Sequence, residues 1–94
     1  TNSMFSKLKQ IRDLRSRAKQ MQSLLSGESA TAEHSGIKIT MDGNMNVTAL
    51  TIAEGVSRES LEREMPRVIN EVIKDIQRIM ARKMQEAGGI PGFN

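Results

Sequence analysis

The stretch TMDGNMNV, Thr40 to Val47, allows two incompatible folds. Asp42, Asn44 and Asn46 have the alternate spacing with which a calcium-binding loop between two helices begins. Asp42-Gly43 is also a strong signal for a two-residue β-hairpin turn. Asp, Gly and Asn tolerate the positive φ angles that such turns require.

The calcium template fails along the chain. If Asp42 is position one, position six requires Gly and position twelve requires Glu, but the chain has Val47 and Ala53 there. The flanks IKITM and VTALTI alternate like strands rather than helices. We therefore predict a β-hairpin and no metal site. The only histidine, His34, has Glu33 beside it and no third ligand in view, and we expect an exposed or strand-edge position for it.

The segments around this turn predict an α+β fold. Upstream, apolar residues recur at steps of three and four, which indicates an amphipathic helix over residues 4–25. Residues 31–52 alternate like strands, and TAEH near their start predicts a short strand or a bent extension. Ile37 and Ile39 define one face, and Leu50 and Ile52 are expected to continue it across the turn.

A second, longer helix follows the strands. Ser57 is expected to cap a short helical turn. Pro66 is tolerated in the first turn of a helix but not in its middle. The long helix is therefore predicted to run from about Met65 to Glu86, with Gly88-Gly89 and Pro91 ending it.

The apolar face of this second helix predicts assembly. It spans an arc of roughly 140° at 100° per residue, which is wide for one small sheet to cover. We therefore expect a homodimer. The face consists of Met65, Val68, Ile69, Val72, Ile73, Ile76, Ile79 and Met80.

Length and composition exclude several classes of protein. The chain has 94 residues, enough for one domain, which we assign to residues 4–94; residues 1–3 are interpreted as a remnant of an expression vector. It has no cysteine, and no apolar run approaches the ~20 residues of a membrane span, so we expect a cytoplasmic protein. No catalytic triad or phosphate loop is visible, and we expect no enzymatic activity, cofactor or small-molecule substrate.

Charge is unevenly distributed. The net charge is +3 overall, but +5 over residues 4–25, −3 over residues 26–56 and +1 over the remainder. Four cations of the first helix lie within a ~120° arc that contains no acid, and we call them the basic row. The basic row consists of Lys9, Arg12, Arg15 and Lys19.

The basic row has two interpretations. Most charge runs are solvated surfaces, but such surfaces usually mix signs, whereas an unmixed row repels itself and indicates an anionic partner. Stacking of single-stranded bases needs aromatic residues, and only Phe5 and Phe93 are present. Membrane-surface helices favour Trp and more Phe, so we expect no membrane partner. Binding to the phosphate backbone of a nucleic-acid duplex needs only spaced cations. Arg78 and Arg82, with Lys83, are a second and weaker candidate patch.

The order of several short motifs resembles the YbaB/EbfC family. MFSKLKQI begins the first helix, AKQMQ lies within it, and SG precedes the strands. DGN lies at the turn, VTALTI precedes the second helix, and GGIPGFN ends the chain. No single motif is specific, whereas their order and spacing over nearly the whole chain are.

The resemblance implies a small bacterial nucleoid-associated protein that dimerises into a tweezer-like, intertwined shape and binds DNA. It implies a helix–strands–helix protomer and no catalytic residues. The expected function is therefore binding of duplex DNA with weak sequence selectivity. An adaptor that binds another protein through its helices, or a protein that binds duplex RNA, remains the alternative.

Overall fold

A computed structural model describes residues 2–88. The order of elements is α1 (Asn2–Ser26), β1 (Ser29–His34), β2 (Ile37–Asp42), β3 (Val47–Ile52) and α2 (Arg58–Glu86). The predicted α+β class, with a helix, a three-stranded meander and a helix, is confirmed. The end signals predicted at Gly89 and Pro91 lie outside the described residues.

The three strands form one antiparallel sheet in the order β1-β2-β3. The TAEH segment lies within a full strand, β1, which pairs with β2 along its whole length. The turn between them contains only Ser35 and Gly36, with φ angles of 54° and 82°. Positive φ at both central residues matches the right-handed twist of the strands. The tight two-residue turn of this fold therefore lies at Ser35-Gly36.

The hairpin predicted around Asp42-Gly43 is confirmed, but its two-residue turn is wrong. Four residues, 43–46, connect β2 to β3, and the loop is closed by a hydrogen bond of 2.8 Å from the Asp42 N–H to the Asn46 carbonyl. The positive φ, 64°, belongs to Met45 rather than to Gly43. Gly43 is required for another reason, because an added Cβ would lie 2.0 Å from the Leu25 carbonyl oxygen.

The core lies between α2 and two strands. Val68, Val72 and Ile76 of α2 are fully buried against the inner face of β1 and β2, where Ile37 and Ile39 are also buried. Fully burying such side chains contributes about 1.5–3 kcal/mol each. The sheet covers the centre of the apolar arc of α2, but Ile69 is 37% exposed and the other flanking residues are only half-buried. The arc as a whole is therefore not fully covered, as expected.

The third strand is left uncovered. Leu50 and Ile52 pair with Ile39 and Ile37 and so share their face of the sheet. However, every residue of β3 is exposed, because α2 packs mainly on β1 and β2. Leu50 and Ile52 therefore lie on the expected face of the sheet, but they are not buried in the core.

The second helix begins earlier than expected. Ser57 caps it by accepting a hydrogen bond of 3.0 Å from the Ser60 N–H, and the helix is continuous through Pro66. Proline lacks the N–H of one helical hydrogen bond. Leu61 and Met65, on the preceding turns, pack against the core. Their burial offsets the lost bond, and the predicted start near Met65 is wrong.

Candidate nucleic-acid interface

Helix α1 carries the basic row away from the sheet. Of residues 3–24, only Met21 is even half-buried. The helix makes only sparse contact with α2 and less with the strands. The described chain is accordingly elongated, with extents of 67 × 25 × 18 Å. A surface of this kind is accessible along its whole length.

The base of α1 is held by the β2–β3 loop. Leu25 is 5% exposed, and its carbonyl packs on Gly43. The Gly43 N–H donates to the Glu28 carbonyl at 2.9 Å. The Asn44 side-chain amide donates to the Gln22 carbonyl at 3.2 Å. These contacts fix the direction in which α1 leaves the sheet, although its far end has no such support.

The loop that holds α1 is organised by one carboxylate. Asp42 Oδ1 accepts hydrogen bonds of 2.9 Å from the backbone N–H groups of Asn44 and Asn46. The hydrogen bond from the Asn46 N–H lowers the Asp42 pKa below its ordinary value. Burial opposes this shift, and the Asn44 N–H and the Asn46 side chain make smaller contributions that lower the pKa further. The residues that resembled calcium ligands bind one another instead.

The structure brings the four members of the basic row together on one exposed face. They span eleven residues of helix, about 15 Å along the axis. Within residues 2–88, none of the four makes an ion pair. Their charge is therefore not neutralised within the described chain. The four residues are Lys9, Arg12, Arg15 and Lys19.

Apolar side chains border the basic row. Leu8 and Ile11 line a shallow depression together with Arg12 and Arg15. This arrangement places two guanidinium groups beside exposed aliphatic surface. Guanidinium groups contact phosphates through planar, bidentate hydrogen bonds. Chemically, the row suits a spaced set of phosphate groups.

The second predicted patch, on α2, is partly neutralised. Arg78 lies 3.6 Å from Asp75, and the half-buried Lys83 lies 3.7 Å from Glu86. Arg82 is exposed and makes no ion pair with any residue that the structure describes. The structure therefore does not gather these three cations into a row comparable to that of α1.

Sequence reasoning missed a buried carboxylate at the other end of α2. Glu64 is 8% exposed, and its Oε2 has no hydrogen-bond partner among the described residues. Arg63 Nε lies 3.3 Å from Oε1, while Arg67 Nη1 and His34 Nε2 lie 3.8 Å from Oε2. His34 is exposed at the end of edge strand β1, as predicted. No spacing rule would reveal this cluster, because the packing of α2 on β1 brings His34 to Glu64.

A family comparison decides the class of the protein. The profile of the YbaB/EbfC DNA-binding family matches residues 1–90. This chain belongs to the YbaB/EbfC DNA-binding family. No curated protein matches the chain closely enough to be counted as a relative. Membership in YbaB/EbfC confirms the resemblance drawn from the order of motifs and supports a nucleoid-associated, DNA-binding role. It does not assign that role to particular residues.

Two further observations concern the described part of this YbaB/EbfC chain. No described helix is long and apolar enough to cross a membrane. Within residues 2–88, no three His, Asp or Glu side chains are grouped so that they could hold a metal ion. A DNA-binding family of this kind is normally non-catalytic, and the expectation that the chain is not an enzyme is unchanged.

Proposed function

We propose that the protein binds duplex DNA as a homodimer, with weak sequence selectivity, through phosphate contacts of the basic row. The observation that carries the proposal is the exposed, unpaired set of four cations on α1 in a chain of a DNA-binding family. Phosphate contacts position a protein on DNA but carry little sequence information. The role would be to coat or organise the nucleoid in the cytoplasm.

Apolar surfaces that the described chain leaves uncovered support the homodimer. The centre of α2 is covered by the sheet, whereas β3 and most of α1 expose large apolar side chains to solvent. Exposed apolar surface of this extent marks an interaction site. Two copies would double the basic row to eight cations and increase the number of phosphates within reach.

Salt dependence is the appropriate test. With ~4–6 phosphate contacts, log K against log salt should have a slope of roughly −4 to −5, from about −0.9 per contact. Affinity for random duplex DNA should then fall roughly 250–1,000-fold between about 50 and 200 mM salt. Fluorescence anisotropy with a labelled random duplex measures this slope directly, and a second duplex of different sequence should give a similar affinity.

The alternative functions give different results in the same experiment. An adaptor that binds protein through its helices would show weak binding of DNA, or none, at low salt. A protein specific for duplex RNA would bind an RNA duplex of the same sequence much more tightly than the DNA duplex. Either outcome would overturn the proposal.

A further inference from the structure

Two members of the basic row carry a nucleophile that phosphate contacts alone do not require. Lys9 and Lys19 end in primary amines, which attack activated acyl groups when they are neutral. Arg12 and Arg15 end in guanidinium groups, which bind phosphate through planar, bidentate hydrogen bonds. All four side chains are exposed on one face of α1. The row therefore places amines that can be acylated beside groups that bind phosphate.

The setting of Lys19 is defined by its neighbours on α1. On a helix surface, the neighbours of a residue lie three and four positions away. For Lys19 these positions hold Arg15 and Ser16 before it and Gln22 and Ser23 after it. Within its helix, Lys19 therefore faces one guanidinium group, hydroxyl and amide groups, and no carboxylate.

The other two lysines of α1 have different neighbours. Lys9 has Arg12 three residues later, but it also has Asp13 four residues later. Lys7 has no charged residue at any of the four neighbouring positions. All three lysines are exposed on the same helix, so they differ chiefly in the charges beside them. They form an internal series for any reaction with an anion.

The lysines outside α1 each have a carboxylate beside them. It lies across the sheet for Lys38 and within one helical turn for Lys74 and Lys83. A carboxylate repels an approaching anion. Among the lysines that the structure describes, Lys19 is thus the one with a guanidinium group and no carboxylate at these neighbouring positions.

Small acyl phosphates match the pair of Arg15 and Lys19. In such a molecule one bridging oxygen separates the charged phosphate from the electrophilic carbonyl carbon. Residues at positions i and i+4 of a helix have Cβ atoms about 5–6 Å apart, and both side chains are long and exposed. The Arg15 guanidinium can therefore hold the phosphate while Lys19 Nζ reaches the carbonyl carbon.

We propose that Lys19 is an acceptor site for the acyl group of small acyl phosphates, with Arg15 as the positioning residue that holds the phosphate. Neutral Lys19 Nζ attacks the carbonyl carbon and forms the new N–C bond. The C–O bond to the phosphate breaks, and inorganic phosphate leaves with that electron pair. A proton passes from the nitrogen to water, and an uncharged amide remains at Lys19.

The consequence for DNA binding rests on the function proposed above. Acylation removes a positive charge, and Lys19 is one of the four cations of the basic row. Loss of one phosphate contact in each copy should make the salt slope shallower by about 0.9, or ~1.8 for a homodimer. Acylation of Lys19 would thus weaken the hold on DNA when acyl phosphate is abundant.

Timed acetylation of the whole protein by acetyl phosphate, followed by peptide mass spectrometry, compares the lysines of α1 in one sample. Lys19 should react about two- to fivefold faster than Lys7, as expected for one exposed charge interaction, with Lys9 between them. Arg15→Gln should lower the Lys19 rate to that of Lys7, and Arg15→Lys should restore most of the preference. Arg17→Gln removes the same charge ~160° around α1 from Lys19 and should leave the rate unchanged.

A donor without phosphate controls for the intrinsic reactivity of each amine. N-acetoxysuccinimide should acetylate Lys19 and Lys7 at similar rates, and inorganic phosphate should slow only the reaction of Lys19 with acetyl phosphate. Equal rates for Lys19 and Lys7 with acetyl phosphate would overturn the site. A preference for Lys19 that is equally strong with N-acetoxysuccinimide, or that survives in Arg15→Gln, would also overturn it.

A separate measurement keeps the site distinct from the proposed function. Lys19→Gln removes the same charge as acylation, and Lys7→Gln is its control on the same helix. Anisotropy with random duplex DNA should give the shallower salt slope for Lys19→Gln only. An unchanged slope would contradict the role of Lys19 in DNA binding and leave the acylation site in place, whereas unselective acetylation with the expected slopes would contradict the site alone.

Discussion

Ile39 and Leu50 face each other across β2 and β3 on the same side of the sheet, yet Ile39 is 2% exposed and Leu50 is 51% exposed. One helix covers the first residue and nothing in the described chain covers the second. A half-covered sheet is a poor end state for an isolated chain, because the exposed apolar strip remains in water. This difference is the structural reason to expect assembly.

Leu50→Glu should therefore weaken dimerisation and leave the fold of each copy in place. A charge in place of Leu50 would be desolvated at an interface, which is unfavourable, but would remain in water on an isolated chain. Thr51→Glu, one residue along and on the other face, is the control. Light scattering at micromolar concentration should give about twice the 10.4 kDa chain mass for the parent and the control, and a lower mass for Leu50→Glu. An unchanged dimer in the Leu50→Glu variant would exclude this face of β3 from the interface.

Gly43→Ala should destabilise the protein because its new Cβ would overlap the Leu25 carbonyl oxygen at 2.0 Å. Overpacking of this kind costs about 1–3 kcal/mol, or several degrees to over 10 °C in Tm for a domain of this size. Gly27→Ala is the matched control, since nothing lies within 4 Å of its added Cβ. Thermal unfolding followed by circular dichroism compares the two. Equal Tm values would show that the contact between α1 and the loop is not tight.

Asp42 should make stability depend on pH in the acid range. Its pKa is lowered in the folded protein, chiefly by the Asn46 N–H, so its contribution is fully present above the unfolded pKa of about 3.9 and is lost as pH falls through the folded value. Asp42→Asn keeps an acceptor oxygen but removes the titration. Its Tm should therefore fall less steeply below about pH 4 than that of the parent. Glu54→Gln is the control, since Glu54 makes no hydrogen bond or ion pair with the described residues. Parallel profiles for the parent and Asp42→Asn would contradict this account.

The same loop should not bind calcium. Both oxygens of Asp42 already accept hydrogen bonds from Asn44 and Asn46. Val47 and Ala53 stand where a calcium-binding loop requires Gly and Glu. Calorimetric titration with calcium should show no heat of binding, and chelators should change neither Tm nor DNA affinity. Tight calcium uptake would reverse this interpretation.

Local patterns predicted the elements well, and their failures have physical causes. Periodicity identified α1 and the strands, and the alternation at Ile37 and Ile39 gave the correct face. It failed at Pro66, where tertiary burial of neighbouring side chains outweighs the missing hydrogen bond. It also failed at Asp42-Gly43, where the side chain of Asp42 builds a longer loop than the dipeptide predicts.

The candidate site was predictable only in part. The basic row lies on one helix, so helical geometry alone brings its members together. Whether the row forms ion pairs depends on residues distant in the sequence. The contacts that hold α1 at Leu25 and Gly43 also join distant residues. The Glu64 cluster depends on the packing of α2 against β1 and was not visible in the sequence.

The central claim is that the basic row contacts DNA phosphates, and charge reversal within the row tests it most directly. Arg12→Glu with Lys19→Glu changes two of the four positions in each copy, and both positions are exposed and lie outside the apolar face of α1. Removing half of the contacts should reduce the salt slope from roughly −4 to −5 to about half that value. Binding to different duplex sequences should weaken alike.

The control lies on the same helix. Arg17 is exposed but outside the basic row. Arg17→Glu and Arg12→Glu therefore change the net charge by the same amount, but the new carboxylates lie on different faces of α1. Anisotropy with random duplex DNA over a range of salt should show a shallower slope for Arg12→Glu and for the double variant, and nearly the parent's slope for Arg17→Glu. If the double variant folds, dimerises and keeps the parent's slope, the basic row is only a solvated surface and the account is wrong.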